Sequence, residues 1–119
     1  MGVMHIAIDM DGTLAEHPKE FAQLMVTLLL ANNYITILPG SMAPNNEPFR
    51  LNQLATLGIT EDMYSELTVC YGQSLDEVGQ RKGEFCRDRK VDMLFEDMPI
   101  YLRYVRSISP QTVCWLAFA

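Results

Sequence analysis

The chain alternates short apolar runs with longer stretches whose apolar positions recur at helical spacing. Residues 3–8 (VMHIAI) form a nearly continuous apolar run closed by Asp9, the pattern of a strand buried on both faces and therefore central. After Glu16-His17-Pro18, the segment KEFAQLMVTLLLANN places Phe21, Leu24, Met25, Leu28 and Leu29 at i, i+3, i+4, i+7 and i+8. That spacing predicts an amphipathic helix, with Pro18 suited to its first turn and Asn32-Asn33 at its end. Residues 34–38 (YITIL) give a second β-rich run, broken by Pro39-Gly40. Residues 41–50 (SMAPNNEPFR) carry two prolines and two asparagines and read as a loop, followed by a short helix up to Leu57 that Gly58 stops. Further on, residues 67–71 (LTVCY) predict a third strand, 82–89 a helix, 91–95 (VDMLF) a fourth strand, 100–108 (IYLRYVRSI) a helix with one apolar face, and 112–118 (TVCWLAF) a fifth strand. Strands separated by helical segments imply β-α-β crossovers, hence an α/β fold with a mostly parallel five-stranded sheet and helices on both faces.

Length and composition narrow this picture. At 119 residues the chain is one domain, residues 1–119, without linker, repeat or low-complexity tract. Hydrophobic residues at 49% and charged residues at 20% exclude disordered and collagen-like classes. A net charge of -6 has the wrong sign for holding nucleic acid by counterion release, although Arg50, Arg81 and Lys82 could form a local basic patch. The apolar-rich stretch 21–31 is too short to span a membrane and too far from the start to be a signal peptide, which points to a cytoplasmic protein. Cys70, Cys86 and Cys114 are odd in number and form no C-x-x-C pair, so buried thiols are expected rather than disulfides or a zinc ribbon. No G-x-x-x-x-G-K-[ST] is present. His5 falls inside the first strand and His17 in a surface loop near the rim; Met42 and Met98 lie beside that rim, and the other methionines read as core.

In an open parallel sheet, ligands bind beyond the carboxyl ends of the strands. There the chain places Asp9-Met10-Asp11-Gly12-Thr13 after the first strand, Pro39-Gly40-Ser41 after the second and Glu96-Asp97 after the fourth. Four carboxylates converging on one rim repel one another unless a cation joins them, and an all-oxygen donor set favours Mg²⁺. Asp11-Gly12 is also a hairpin-turn dipeptide, but the residues after it read as loop and helix, not as a pairing strand. The D-x-D-G string overlaps the start of a calcium loop, yet its third acidic position and closing Glu are out of register.

The string IAIDMDGTL resembles motif I of the haloacid dehalogenase (HAD) superfamily, a hydrophobic strand followed by D-x-D-G-T. The other motifs come in order: Lys82 opening the helix KGEFCRDRK, then VDMLFEDM with the acidic pair Glu96-Asp97. The resemblance implies a three-layer Rossmann-like fold and a phosphatase that cleaves phosphomonoesters through an aspartyl phosphate. Asp9 would be the nucleophile, and Asp11 would protonate the leaving group and then activate water. Mg²⁺ would be held by Asp9, the backbone carbonyl of Asp11, and Asp97, with Glu96 orienting a metal-bound water or Lys82. Lys82, preferred to Lys90, would hold the phosphoryl oxygens, together with backbone N–H groups of Met10, Gly12 and Thr13 and the motif II loop at Gly40 and Ser41.

One position departs from the pattern. Where the family carries a Ser or Thr at the end of its second strand, this chain has Pro39, which offers neither hydroxyl nor N–H, so Ser41 is the expected substitute. The segments after Thr13 and after Ser41 leave no room for a cap domain, which resembles the capless branch. Its open sites act on phosphate groups of macromolecules, or on small molecules when a neighbouring subunit of a homo-oligomer covers the site. Two other readings stand beside this one. A catalytically silent HAD-like binding protein is favoured by Pro39. A receiver-type signalling domain needs an Asp ending the third strand, where this chain reads Val69-Cys70-Tyr71-Gly72.

Overall fold

The computed structural model describes residues 3–116. In chain order its elements are β1 (His5–Ile8), a wide helical turn (Met10–Leu14), α1 (Pro18–Leu30), β2 (Tyr34–Ile37), β3 (Gly40–Ser41), α2 (Glu47–Thr56), β4 (Glu66–Leu67), β5 (Cys70–Tyr71), α3 (Leu75–Asp88), β6 (Met93–Glu96), α4 (Pro99–Ile108) and β7 (Val113–Leu116). Five strands form one parallel sheet in the order β4-β2-β1-β6-β7, with β1 at its centre as its continuous apolar run requires. Successive β1 side chains part to opposite faces. Ile6 and Ile8 join Met25, Ile35, Ile37 and Leu54 on the side of α1 and α2, whereas Ala7 joins Val78, Leu94, Leu102 and Val105 on the side of α3 and α4. The result is a three-layer, Rossmann-like α/β fold. No helix among the described residues is long and apolar enough to cross a membrane.

Two elements differ from the sequence reading. The third apolar run is split: β4 extends the main sheet, whereas β5 pairs with β3 in a separate two-stranded sheet. Pro39 explains the break. Lacking an N–H it cannot continue the β2 ladder, yet its carbonyl accepts from Cys70 N at 2.8 Å, so both chains step out of the main sheet together. The helix expected at 82–89 begins at Leu75. Ser74 caps it by accepting from Glu77 N at 3.1 Å, while Glu77 Oε1 accepts from Gln73 N at 3.0 Å, an S-x-x-E capping arrangement. Lys82 therefore sits mid-helix instead of opening it. Of the fifth predicted strand, 113–116 forms β7, and its positions 117 and 118 lie outside the described residues.

The cysteines are thiols: Cys70 and Cys86 are buried and Cys114 is half-buried. Burial pushes Cys70 up to about 11 and Cys86 up to about 12, which keeps both protonated and unreactive at neutral pH. Helices α3 and α4 pack closely because Gly83 lets the Tyr104 carbonyl and Ile108 approach; a Cβ there would lie 3.1 and 2.9 Å from their atoms. Gly83→Leu overfills this contact and should lower stability by about 1–3 kcal/mol, read as the midpoint shift in urea unfolding. An unchanged midpoint would contradict the packing described.

Candidate active site

The parallel pairing of β1 with β6, which sets Ile8 beside Phe95, carries Asp9 and the Glu96-Asp97 pair off the sheet at the same end. Asp9 N donates to Phe95 O at 3.0 Å, and this anchors its carboxylate beside β6. From the neighbouring layer α3 sends in Lys82, whose side chain is entirely buried. Its Nζ donates to Asp9 Oδ1 at 2.9 Å and to Glu96 Oε1 at 2.6 Å, and lies 4.6 Å from the centre of the Tyr101 ring. The remaining Glu96 oxygen accepts from the backbone N–H groups of Asp97 and Met98, at 3.2 and 3.3 Å. Glu96 is thus a fully engaged support with no oxygen directed outward.

After Asp9 the chain turns sharply over the end of β6. It does so through the wide turn Met10–Leu14, closed by Ala15 N donating to Met10 O at 2.8 Å. Gly12 is required there twice over. Its φ of +77° is costly for a side-chain-bearing residue, and a Cβ would fall 1.9 Å from Asp97 Oδ2. The buried Thr13 places its hydroxyl 3.5 Å from Asp97 Oδ1. Asp9, Glu96 and Asp97 each offer an oxygen within 4.8 Å of the others.

Charge does not balance within this cluster. Burial alone would push Lys82 down, but Asp9 and Glu96 outweigh it and hold the ammonium above its ordinary range, so it stays charged. Burial pushes Glu96 above the usual carboxylate range, against the pull of Lys82 and with the push of Asp9. Asp97 is pushed up to about 6, first by burial and then by the hydrogen bond and charge of Asp9. Three carboxyl groups thus face one ammonium; their raised values express that crowding, and ionising all three leaves excess negative charge in a half-closed site. Hard oxygen donors with that surplus fit Mg²⁺, and Asp9 and Asp97 are the side chains with oxygens left to hold it.

A cavity of about 210 Å³ opens over the cluster, lined by Asp9, Asp11, Gly12, Gly40 and Asp97, with Met98 and Tyr101 as walls. The fourth expected carboxylate, Asp11, lines this cavity but does not join the other three. Both its oxygens are gripped by Arg50, at 3.1 and 2.9 Å. Burial pushes Asp11 up, but hydrogen bonding to Arg50 and its charge outweigh this and hold the carboxyl below its usual range.

Several expected contacts are not formed. Lys82 stands behind Asp9 and does not line the cavity, because Asp9, Glu96 and the Tyr101 ring surround its ammonium. Ser41 is absent from the lining; its hydroxyl accepts from Ala43 N at 3.0 Å and donates to Ala43 O at 2.8 Å, a local turn that engages it within its own loop. The backbone of Gly40 does reach the cavity, as does Met98, while His17 and Met42 do not. A basic patch of Arg50, Arg81 and Lys82 does not exist, since Arg50 and Lys82 are buried and Arg81 pairs with Glu84 at 3.0 Å. Lys90 is exposed, in a turn at φ +53°. Arg50 and Tyr101 are the site residues that sequence reasoning missed. Tyr101 read only as part of an apolar helix face, and no local pattern announces that Arg50 reaches back to Asp11.

No protein-family model matches the sequence, and no curated protein matches it. Solved structures share the fold, two among them at low sequence identity. An uncharacterized protein from Corynebacterium glutamicum is 14% identical with a TM-score of 0.60, over 97% of this chain and 85% of that one. A universal stress protein in complex with cAMP is 10% identical with a TM-score of 0.56, over 98% of this chain and 99% of that one. At such identities the likeness extends to the α/β architecture alone.

The position of Asp97 carries a pH signature. Its folded value near 6 stands above its ordinary 3.8, so without a cation the folded state keeps a proton that the unfolded chain gives up. Stability from this group is therefore present at low pH and lost as pH rises from about 4 to about 6. Asp97→Asn should gain stability relative to the metal-free parent protein across that interval, measured by urea unfolding at several pH values. A difference that is flat, or that runs the other way, would contradict the assignment.

Proposed function

We propose that this protein is a Mg²⁺-dependent phosphohydrolase that cleaves a phosphomonoester through an aspartyl phosphate on Asp9. The observation that supports this reading best is the meeting of Asp9, Glu96 and Asp97 around Lys82, at the carboxyl end of a parallel sheet and beneath an open cavity. It agrees with the resemblance of IAIDMDGTL to the HAD motif I.

In this reading Asp9 attacks phosphorus and forms a P–O bond while the ester oxygen leaves, taking a proton that Asp11, ionised beside Arg50 in the free protein, acquires when the phosphate dianion bound next to it offsets the guanidinium charge. Asp11 then accepts a proton from a water molecule that attacks the phosphoaspartate, which releases orthophosphate and restores Asp9. Lys82 and Glu96 act from behind. The ammonium fixes the Asp9 carboxylate in one orientation, and Glu96 fixes the ammonium. Bound Mg²⁺, held by Asp9, Asp97 and the Asp11 carbonyl, would offset the repulsion between the carboxylate and the phosphate dianion. The backbone N–H groups of the turn from Met10 to Thr13 and of Gly40 are the donors offered to phosphoryl oxygens. With no cap over the cavity among the described residues, the substrate in this reading is a phosphorylated macromolecule or a small phosphate ester that a second subunit encloses, and the acidic balance disfavours nucleic acid.

A second reading, a silent binding protein of the same family, draws on Pro39 and on the Ser41 hydroxyl being turned to Ala43. One assay separates them. With Mg²⁺, the parent protein should hydrolyse phosphomonoesters, and Asp9→Asn or removal of the metal by chelation should reduce turnover to background. Equal turnover by Asp9→Asn, or none by the parent protein across a broad panel, would refute the phosphohydrolase. Because the Ser41 hydroxyl serves only its own turn, Ser41→Ala should keep kcat/KM within about twofold, the scale of a surface substitution worth roughly 0.5 kcal/mol. A loss of about tenfold or more, near a charge-assisted hydrogen bond's 1.5 to 3 kcal/mol, would show that Ser41 turns into the site.

A further inference from the structure

Arg50 is a buried charge to which the chemistry above assigns no task. It stands in the first turn of α2, 39 residues along the chain from Asp11, and 7% of its side chain is exposed against 68% for its partner. All five of its N–H donors are engaged. Nε donates to Asn46 Oδ1 at 2.9 Å; Nη1 donates to Gln53 Oε1 at 2.9 Å and to Asp11 Oδ1 at 3.1 Å; Nη2 donates to Asp11 Oδ2 at 2.9 Å and to Gly40 O at 2.7 Å.

A guanidinium without a spare donor does not recruit a ligand. One whose plane is fixed on both sides orients whatever its fork grips. Asn46 and Gln53 set that plane from Arg50's own helix and its cap, and the Gly40 carbonyl ties it to the loop after β2. Each Asp11 oxygen gives up one acceptor site and retains others, and Asp11 still lines the cavity. An exposed aspartate, otherwise free to change rotamer, is held in one place at the cavity edge. Ion pairs with so exposed a partner contribute little stability, so stability alone is a weak reason to bury this guanidinium.

We infer that Arg50 is a positioning residue whose guanidinium fork fixes the Asp11 carboxylate where the leaving-group oxygen departs. The inference rests on the phosphohydrolase reading. A leaving group needs a delivered proton in proportion to its basicity. An alkoxide depends on the placement of Asp11, whereas p-nitrophenolate departs as a stable anion and depends on it much less. A role confined to holding the fold together would affect both substrates alike.

The test measures kcat and KM for p-nitrophenyl phosphate and for glycerol 2-phosphate, with Mg²⁺, on the parent protein, Arg50→Gln, Arg50→Lys and Asp9→Asn, with folding checked by circular dichroism. Misplacing a proton donor costs about 100-fold or more in the step it serves. Arg50→Gln should therefore lose at least about 30-fold more kcat/KM on glycerol 2-phosphate than on p-nitrophenyl phosphate, because kcat/KM reports the step in which the ester oxygen leaves, whereas hydrolysis of the phosphoaspartate is common to both substrates. Arg50→Lys keeps the charge but not the fork and should stay as selective a failure as Arg50→Gln. If Arg50→Gln does not fold, Gln53→Leu, which releases one N–H and leaves the ion pair, should show the same preference at about threefold or more. Equal losses of kcat/KM on both substrates, no loss, or full activity in Arg50→Lys would overturn the inference while Asp9-dependent turnover preserves the phosphohydrolase. Turnover unaffected by Asp9→Asn would overturn both.

Discussion

A single buried ammonium organises this molecule's carboxyl-terminal rim. Lys82 has no exposed surface, and a lone charge so placed would cost several kcal/mol. It is sustained by Asp9 and Glu96, which descend from different strands and meet it at 2.9 and 2.6 Å. Those contacts fix how far β1 and β6 project and how α3 lies against them, so the geometry of the site and the packing of one helical layer are the same constraint. Two carboxylates more than compensate one ammonium, and Asp97 adds a third close by. That crowding of carboxyl groups is the property on which the proposed function depends, because a divalent cation would relieve it.

The second constraint is steric. Gly12 passes so close to Asp97 that no side chain fits between them, and its positive φ turns the chain back towards α1. The turn after β1 and the acidic pair at the end of β6 are thus fitted to each other through sterics as well as through charge. On the far side of the cavity, Arg50 performs a comparable task for Asp11, linking the turn after β1 to Gly40. The nucleophile candidate and the proton-carrier candidate are each held by a buried cation, one from each helical layer.

Much of this was legible in the residues. The uninterrupted run ending in Asp9 identified the central strand, the rule of strand ends brought Glu96-Asp97 to the same rim, and the alternation of strands and helices gave the sheet. What escaped had physical causes. The start of α3 is set by Ser74 and Glu77, a cap eight residues before the apolar pattern becomes helical, so the depth of Lys82 in its helix is not legible from that pattern. The split third strand results from Pro39 acting on a neighbour about thirty residues away, a non-local effect. Arg50 sits among loop-forming residues that read as solvated, and only the folded chain shows that its five donors have partners. Ser41 was expected to replace the missing hydroxyl, but the short turn to Ala43 satisfies it locally.

The central claim is that the charge left over around Lys82 binds a cation through Asp9 and Asp97. Titration calorimetry of Mg²⁺ into the metal-free protein at neutral pH addresses it directly, with the Asp97→Asn variant as comparison. One Mg²⁺ per chain is expected for the parent protein, with an affinity at least about tenfold weaker for the variant. Equal affinity in the two proteins, or no binding by the parent protein, would contradict it.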